Sequence, residues 1–182
     1  LYDGVWFDTV ALLIADTTKT YSNTTAGDYI RTRAEGFSYL VAASGASDHD
    51  VATGGGLKLY ISDTVVTPEH FGTIGGGGDD DAIMTKVFAL LVTGRKGVAR
   101  GAYTLDSGIA VTATANMHLD FEGATFTSIA ASSISEMLYL GMDDFSLVAK
   151  MGTWDADQNT VKCVQIRNSS TGLLRQNVFP GG

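Results

Sequence analysis

The sequence predicts a mainly β protein in which one amphipathic helix separates two groups of short strands. The 182-residue chain contains 22 glycines and only 2 prolines, as expected of many strands joined by tight turns. Apolar residues make up 45% of the chain, which is enough for a packed core. Most β-forming segments are short and are separated by Gly, Asp, Asn or Ser.

The N-terminal segment is ambiguous between helix and strand. Leu1–Ala15 mixes aromatic and aliphatic side chains without a clear period, and helix is weakly favoured over strand. Asp16–Thr25 follows and is rich in Thr, Ser, Asn and Asp, which predicts a loop.

Three short strands are predicted before the helix. Asp28–Thr32 and Phe37–Ala42 carry β-forming side chains, and Leu57–Ser62 alternates apolar with polar residues, as in a strand with one buried face. Ser44–Gly56 is polar and glycine-rich, which predicts a long loop. Residues 1–66 are therefore predicted to form a small N-terminal β module.

The segment Asp81–Leu91 is the clearest helix in the sequence. Its apolar stripe comprises Ile83, Met84, Val87, Phe88, Leu90 and Leu91. Asp79 or Asp80 is expected to cap it by accepting a hydrogen bond from a free backbone N–H, and the negative charges suit the positive end of the helix dipole. Gly94 and Gly97 follow its C-terminal end, as expected of a stop signal.

Only short strands are predicted after the helix. They are Gly97–Arg100, Tyr103–Leu105, Ile109–Val111, Met117–Phe121, Thr125–Ser128, Met137–Leu140, Phe145–Ala149 and Val161–Arg167. Phe121, Leu140 and Ile166 recur at wide intervals, a weak repeat that is compatible with stacked coils of about 20–25 residues.

The charge balance and the lone cysteine exclude several classes of protein. With 12 basic and 20 acidic residues the net charge is −8, which argues against binding to nucleic acid or to an anionic membrane. Cys163 has no second cysteine for a disulfide or a zinc site, and its apolar surroundings predict a buried, inert thiol.

No segment predicts a membrane helix or a signal peptide. The longest early apolar run, Val10–Ala15, is far shorter than the ~20 residues that a membrane helix needs, and no basic segment precedes it. Because the sequence starts at Leu1 and stops at Gly182, we expect it to be part of a longer polypeptide.

Five sequence features between Pro68 and Ser128 occur in the order found in the pectate-lyase-like β-helix superfamily. They are Phe71-Gly72-Thr73, the Gly/Asp stretch Gly75–Asp81, the helix Asp81–Leu91, the turn Gly101-Ala102-Tyr103, and Leu119–Ala124. The segment resembles that family, and phage tailspikes in particular. It departs from the family pattern at Arg100, where a proline is usual, and at Asp79, where a threonine is usual.

The segment Gly27–Ile61 is similar to the small β module that precedes the β-helix in many tailspikes. The matching elements are Gly27–Ile30, Phe37–Leu40, the polar loop Ser44–Gly54, and Gly56–Leu59. The two resemblances together imply a small N-terminal β module in residues 1–66 that connects or anchors the chain. It is followed, in residues 67–182, by the first coils of a right-handed parallel β-helix. The helix at residues 81–91 would cap the first coil and protect its strand edges.

The resemblance implies a structural virion protein. We expect a phage tailspike or tail-fibre subunit, located in the virion tail and assembled as a homotrimer. The N-terminal region would contact other phage tail proteins, and a distal part absent from this sequence would bind a host surface polysaccharide. The alternative is a polysaccharide depolymerase, a glycoside hydrolase or lyase whose catalytic coils lie mostly beyond this segment.

Two segments invite comparison with ligand-binding motifs. The run Gly75–Gly78 precedes a helix but lacks the Gly-Lys-Ser/Thr of a phosphate loop, and the adjacent aspartates would repel phosphate. Asp48-His49-Asp50 contains metal-binding residue types, but a solvated turn is the favoured interpretation. His70 and His118 have no evident partner in the sequence. We therefore expect no cofactor and no metal.

Catalysis of glycan cleavage would need two carboxylates about 5–10 Å apart. The candidate acids are Glu122, Glu136, Asp143, Asp144, Asp155 and Asp157. Solvated turns are the favoured interpretation, so the catalytic residues remain unassigned. The aromatic residues that could stack on sugar rings, but more commonly fill cores or subunit contacts, are Trp6, Tyr21, Tyr60 and Trp154.

Overall fold

The computed structural model confirms the predicted mainly β class, with several sheets that are partly parallel. It describes residues 4–75, 78–128, 136–142, 145–156 and 162–167. The chain divides into two compact units between Thr73 and Ile74. The predicted domain boundary at Val66–Pro68 lies a few residues earlier, and the separate roles assigned to the two parts remain predictions.

The first unit contains six short strands, a short helix and a 3-10 turn among its described residues. They are β1 (Val5–Phe7), α1 (Val10–Ala15), β2 (Tyr29–Thr32), β3 (Ser38–Val41), β4 (Val51–Ala52), β5 (Lys58–Ile61), β6 (Val65–Val66) and the 3-10 turn Pro68–Phe71. The ambiguous N-terminal segment thus forms a strand and then a helix. The Thr9 side chain caps α1 by accepting a hydrogen bond from the backbone N–H of Leu12 at 3.2 Å.

One sheet with the strand order β1-β2-β3-β5-β4 organises the first unit. β1 pairs parallel with β2, whereas the other neighbours pair antiparallel. The predicted alternation in β5 is confirmed, because Leu59 and Ile61 are buried while Lys58 and Tyr60 are partly exposed. The predicted loop Ser44–Gly56 is wrong at one point, since it contains β4, a strand too short to show a period.

The second unit contains one helix and nine strands among its described residues. They are α2 (Asp81–Leu91), β7 (Lys96–Val98), β8 (Ala102–Leu105), β9 (Ile109–Thr112), β10 (Met117–Asp120), β11 (Thr125–Ser128), β12 (Glu136–Gly141), β13 (Leu147–Lys150), β14 (Thr153–Asp155) and β15 (Lys162–Arg167). The predicted bounds of the helix are confirmed, and β14 is the strand that the sequence did not predict.

In the second unit, each of the strands β7 to β15 pairs with a strand that lies three positions before or after it in chain order. β10 lies between β7 and β13, β11 between β8 and β14, and β12 between β9 and β15, and every one of these pairs is parallel. Paired positions are about 20–30 residues apart, as in a chain that returns to the same sheet once per turn. Consecutive strands therefore belong to different sheets.

The predicted repeat is correct for two of its three positions. Leu140 and Ile166 are paired across β12 and β15, so they occupy equivalent places in successive turns of the chain. Phe121 lies just after β10, and β10 belongs to a different sheet from β12 and β15. The interval between Phe121 and Leu140 therefore does not correspond to one repeat.

Aromatic side chains form a continuous stack in the core of the second unit. Phe126 on β11 lies between Tyr103 on β8 and Trp154 on β14, with ring centroids 5.2 Å and 4.1 Å away. Phe121 packs on Phe126 at 5.6 Å, and Phe88 of α2 contacts Phe121 edge-on at 5.9 Å. The stack therefore joins the helix to strands β8, β11 and β14.

The helix α2 buries a narrower stripe than the sequence predicts. Met84, Val87, Phe88 and Leu91 are buried, whereas Ile83 and Leu90 are only half-buried. The helix packs against β7, β9 and β10. The predicted stripe is thus confirmed at Met84, Val87, Phe88 and Leu91, while Ile83 and Leu90 lie at its margins.

A glycine between β13 and β14 lies close to the backbone that follows β10, and replacing it tests how closely these two segments pack. Gly152 has a φ of +68°, and a Cβ there would lie 2.5 Å from the carbonyl oxygen of Phe121 and 2.6 Å from that of Ala124. We expect Gly152→Ala to lower the free energy of unfolding by about 2–4 kcal/mol, from the left-handed backbone and these clashes together.

Gly123 is the matched control for this substitution. It also has a positive φ, +81°, but a Cβ there would meet nothing within 4 Å. Gly123→Ala should therefore cost only the backbone term, about 1 kcal/mol. Urea unfolding monitored by circular dichroism measures both variants, and equal losses would show that the close approach at Gly152 is absent.

Candidate functional site

The aspartates at the start of α2 tie the helix to the β8–β9 region. The Asp80 carboxylate accepts hydrogen bonds from the backbone N–H groups of Gly75 at 3.0 Å and Thr104 at 2.9 Å. The Asp81 carboxylate accepts from the backbone N–H groups of Asp106 and Ser107 and from the Ser107 hydroxyl. Because these N–H groups already bind carboxylates, they are not free to bind an anion.

The predicted cap of α2 is confirmed for one of its two candidates. Asp79 Oδ1 accepts a hydrogen bond from the Asp81 backbone N–H at 2.9 Å, whereas the buried Asp80 side chain points to Gly75 and Thr104. Partial burial raises the pKa of Asp81, and the Ser107 hydrogen bonds oppose that rise. These aspartates are thus structural.

Exposed apolar side chains concentrate at one edge of the first unit. Trp6 is 47% exposed, Tyr29 is 48% exposed and Leu12 is 55% exposed. Trp6 pairs in register with Arg31, whose guanidinium carbon lies 5.8 Å from the centre of the Trp6 ring. We call Trp6, Leu12, Tyr29 and Arg31 the Trp6 surface.

Two grooves meet at Trp6. One, of about 580 Å³, runs along the start of β1 and β2, and it is lined by Gly4, Val5, Trp6, Gly27, Asp28, Tyr29 and Arg31. The other, of about 470 Å³, runs between β1 and α1 and is lined by residues that include Trp6, Phe7, Leu12, Asp16 and Arg33. Arg33 forms an ion pair with Asp8, in which Nη1 lies 2.8 Å from Oδ1.

The Trp6 surface has the composition of a protein-binding surface. Aromatic side chains and arginine are enriched at interface hot spots, because they bury much area and keep a polar or charged group. Among the described residues β1 is also an edge strand, so no other described strand of its sheet covers the backbone beside Trp6. The sequence offers Trp6 as a single candidate residue, and no sequence spacing indicates that Tyr29 and Arg31 lie beside it.

His70 has a partner that the sequence did not reveal. Its side chain is 1% exposed, and its Nε2 lies 3.0 Å from Asp63 Oδ2. Its Nδ1 accepts a hydrogen bond from the Thr67 backbone N–H at 3.1 Å. The ring stacks on Phe37 with centroids 3.6 Å apart, and the Tyr39 hydroxyl donates to the His70 carbonyl at 2.8 Å.

Burial lowers the pKa of His70 below its ordinary value, although the hydrogen bond to Asp63 acts in the opposite direction. The imidazole is therefore neutral at neutral pH. A groove of about 270 Å³ lies beside it, lined by Gly36, Phe37, Asp63, Thr64, Val65, Thr67 and His70. The sequence pattern Thr-Pro-x-His at the 3-10 turn indicates the contact between Thr67 and His70, because a polar residue three positions after Thr can bond back to its backbone.

The segment Asp48-His49-Asp50 engages the sheet of the first unit. The Tyr60 hydroxyl donates to Asp48 Oδ1 at 2.5 Å, and this bond lowers the pKa of Asp48. Asp50 Oδ2 accepts from the Ile61 backbone N–H at 2.7 Å. Within the described ranges, no group of three or more His, Cys, Asp or Glu side chains is placed to hold a metal ion.

The three described candidate acids lie at different places in the second unit. Glu122 follows β10 and forms an ion pair with Lys150, Glu136 begins β12, and Asp155 ends β14. Asp143, Asp144 and Asp157 lie outside the described residues. Whether any two of the six candidate acids form a pair therefore stays a prediction.

A charged cluster lies on the sheet of β7, β10 and β13. Asp120 Oδ1 lies 3.0 Å from an Arg100 guanidinium nitrogen, and Lys96 Nζ lies 3.9 Å from Asp120 Oδ2. The Arg100 hydrogen bond lowers the pKa of Asp120. Arg100 also donates to the Asp120 carbonyl, so the residue at the departure from the family pattern links neighbouring strands.

The remaining aromatic candidates have structural partners. Trp154 stacks on Phe126 and donates from Nε1 to the Met151 carbonyl at 2.6 Å. The Tyr21 hydroxyl donates to the Ala42 carbonyl and accepts from the Lys58 backbone N–H.

Cys163 is half-buried, and its thiol lies 3.3 Å from the Trp154 carbonyl, so the prediction of a buried thiol is wrong.

Among the described residues, no helix has the length and apolar content needed to cross a bilayer. No family model and no curated protein matches the sequence.

Proposed function

We propose that this chain is the N-terminal part of a phage tailspike or tail-fibre subunit, a structural component of the virion tail. In this proposal the second unit is the start of a right-handed parallel β-helix of the pectate-lyase type. A distal part of the same protein would attach the particle to a host surface glycan.

The parallel pairing of every third strand is the observation that carries the proposal. Nine strands in three sets of three, β7 to β15, are what the first coils of a parallel β-helix require. The helix α2 directly precedes them and packs on β7 and β9, the position expected of a cap. The order Phe71-Gly72, Gly/Asp stretch, helix and Gly-x-Tyr turn supports the tailspike assignment by resemblance.

In this proposal the first unit attaches the subunit to the rest of the phage tail. The Trp6 surface would contact other phage tail proteins, since its exposed aromatic, aliphatic and guanidinium groups match the chemistry of interface hot spots. A homotrimer is part of the proposal because the resemblance to tailspikes implies it.

Purified virions provide the test. Particles are propagated on the host bacterium and banded by density, and tail fractions are analysed for peptides of this sequence by mass spectrometry. We expect the peptides at a stoichiometry that is a multiple of three per tail. Recovery of the protein only from the cell lysate or the growth medium, with none in infectious particles, would contradict the proposal.

Incorporation of variants tests the Trp6 surface separately. Trp6→Ala should reduce incorporation into particles at least tenfold, since truncating a hot spot costs about 2 kcal/mol or more of binding. Val148→Ala is the matched control, because Val148 is 61% exposed on the second unit and lies outside this surface. Equal incorporation of both variants would remove the Trp6 surface from the proposal.

A further inference from the structure

The hydrogen bonds around His70 fix which nitrogen carries the proton. A backbone N–H can only donate, so the 3.1 Å contact from Thr67 N requires an unprotonated Nδ1. The proton of the neutral ring then lies on Nε2, which donates to Asp63 Oδ2 at 3.0 Å. Thr67 Oγ1 lies 3.1 Å from the same Nδ1, so its hydroxyl can also donate there.

Protonation of Nδ1 would break the hydrogen bond that this nitrogen accepts from the Thr67 N–H. An imidazolium donates from both nitrogens and accepts from neither, so its Nδ1–H would turn to the Thr67 carbonyl oxygen at 3.3 Å or the Thr67 hydroxyl oxygen at 3.1 Å, and the Thr67 N–H could no longer bond to it. The Thr67 N–H would lose its acceptor inside a partly buried turn, and the charge would lie in a site where the side chain is 1% exposed. The groove that His70 helps to line lies directly beside the site.

We propose that His70 is a proton-operated latch in the first unit. With the imidazole neutral, the latch holds the turn Thr67–Phe71 against β3 through the Phe37 stack, the Asp63 hydrogen bond and the bond from Tyr39 to the His70 carbonyl. Proton uptake at Nδ1 releases the turn while the β-sheet stays folded. This inference is independent of the proposed virion role.

The charged groups that face the latch set its pH range. Burial lowers the pKa of His70, whereas Asp63, the Thr67 carbonyl and Glu69 favour the imidazolium and only partly offset burial. Burial, with Glu35 and Asp63, raises the pKa of Tyr39, so its hydroxyl remains a donor at acidic and neutral pH. A released histidine titrates near its ordinary pKa of about 6.5, so the latch is fully closed above that pH and weakens as pH falls below it.

Amide hydrogen exchange resolved by residue tests the latch on the full chain. Protection of the Thr67 amide, corrected for the intrinsic pH dependence of exchange, should fall about tenfold or more between pH 7.5 and pH 5, whereas the β3 and β5 amides keep theirs. Unchanged protection of Thr67, or an equal loss in every strand, would overturn the proposal.

Two variants separate titration of His70 from other effects of acid. In His70→Asn the side-chain oxygen can replace Nδ1 as the acceptor from Thr67 but cannot take up a proton, so the pH dependence of Thr67 protection should disappear. His49→Asn, at the other described histidine of this unit, should keep the full wild-type dependence. The opposite pattern would exclude His70 as the sensor.

The imidazole nitrogens of the wild-type protein give a second readout if His70→Asn fails to fold. Their NMR shifts should report an unprotonated Nδ1 at pH 7.5 and its protonation over the pH range in which Thr67 loses protection. Protonation of Nδ1 without loss of Thr67 protection would overturn the latch.

Discussion

Replacing Phe126 with alanine is expected to lower the free energy of unfolding of the second unit by about 4 kcal/mol. The side chain is fully buried, and its ring stacks on Tyr103 of the preceding turn of the chain and on Trp154 of the following one. The truncation would leave a cavity between rings that lie on three neighbouring parallel strands. Chemical denaturation followed by circular dichroism measures the loss.

The matched variants separate the stacked ring from simple apolar volume. Phe126→Leu keeps most of the volume but loses the ring stacking, so about half of the alanine effect is expected. His118→Ala alters an exposed residue of the neighbouring sheet and should change stability by less than about 0.5 kcal/mol. A loss below about 1 kcal/mol for Phe126→Ala would contradict a core built on this stack.

Asp80→Ala should cost about 3 kcal/mol, because it removes two charge-assisted hydrogen bonds from a buried site. The Asp80 carboxylate is the acceptor for the Gly75 and Thr104 backbone N–H groups, and the side chain is only 5% exposed. Without it these N–H groups lose their acceptor, and the start of α2 loses its tie to β8. Urea unfolding, with the tryptophan emission recorded, measures the effect.

Asp79→Ala is the control for the helix dipole and the cap. Asp79 is exposed and accepts one hydrogen bond, from the Asp81 backbone N–H, so the expected loss is about 1 kcal/mol. Asp80→Asn keeps one acceptor oxygen in place and should fall between the two. If Asp79→Ala proved more costly than Asp80→Ala, the carboxylates would act through capping alone, contrary to the hydrogen bonds that Asp80 accepts from Gly75 and Thr104.

Segments with a strong local pattern were predictable from the sequence. The bounds of α2 follow from its apolar stripe and its flanking Asp and Gly residues, and β5 follows from a clean period of two. β11 was predicted at Thr125–Ser128, the residues that form it. In each case local propensity and tertiary packing favour the same structure.

Short strands and long-range partners were not predictable in the same way. β14 has a single large apolar residue, Trp154, between a glycine turn and acidic residues, so its sequence is typical of a loop. Its strand conformation comes from pairing with β11, which lies about 28 residues earlier. β1 and β4 are likewise too short for a period to appear.

The candidate sites depended even more on tertiary structure. The Trp6 surface forms because β1 and β2 pair in parallel and place Trp6 beside Arg31, a contact that no spacing in the sequence indicates. Asp63 reaches His70 because the 3-10 turn folds the chain back. The charge and composition of the chain, which are independent of pairing, limited the classes of partner but located no site.

Backbone NMR of the isotopically labelled chain tests the central claim, the parallel pairing of every third strand, most directly. We expect inter-strand backbone NOEs that link Met117 with Leu147 and, in the same direction, Asp120 with Lys150, and that connect β11 with both β8 and β14. NOEs that run in opposite directions along these strands, or that pair consecutive strands such as β10 and β11 as hairpins, would contradict it.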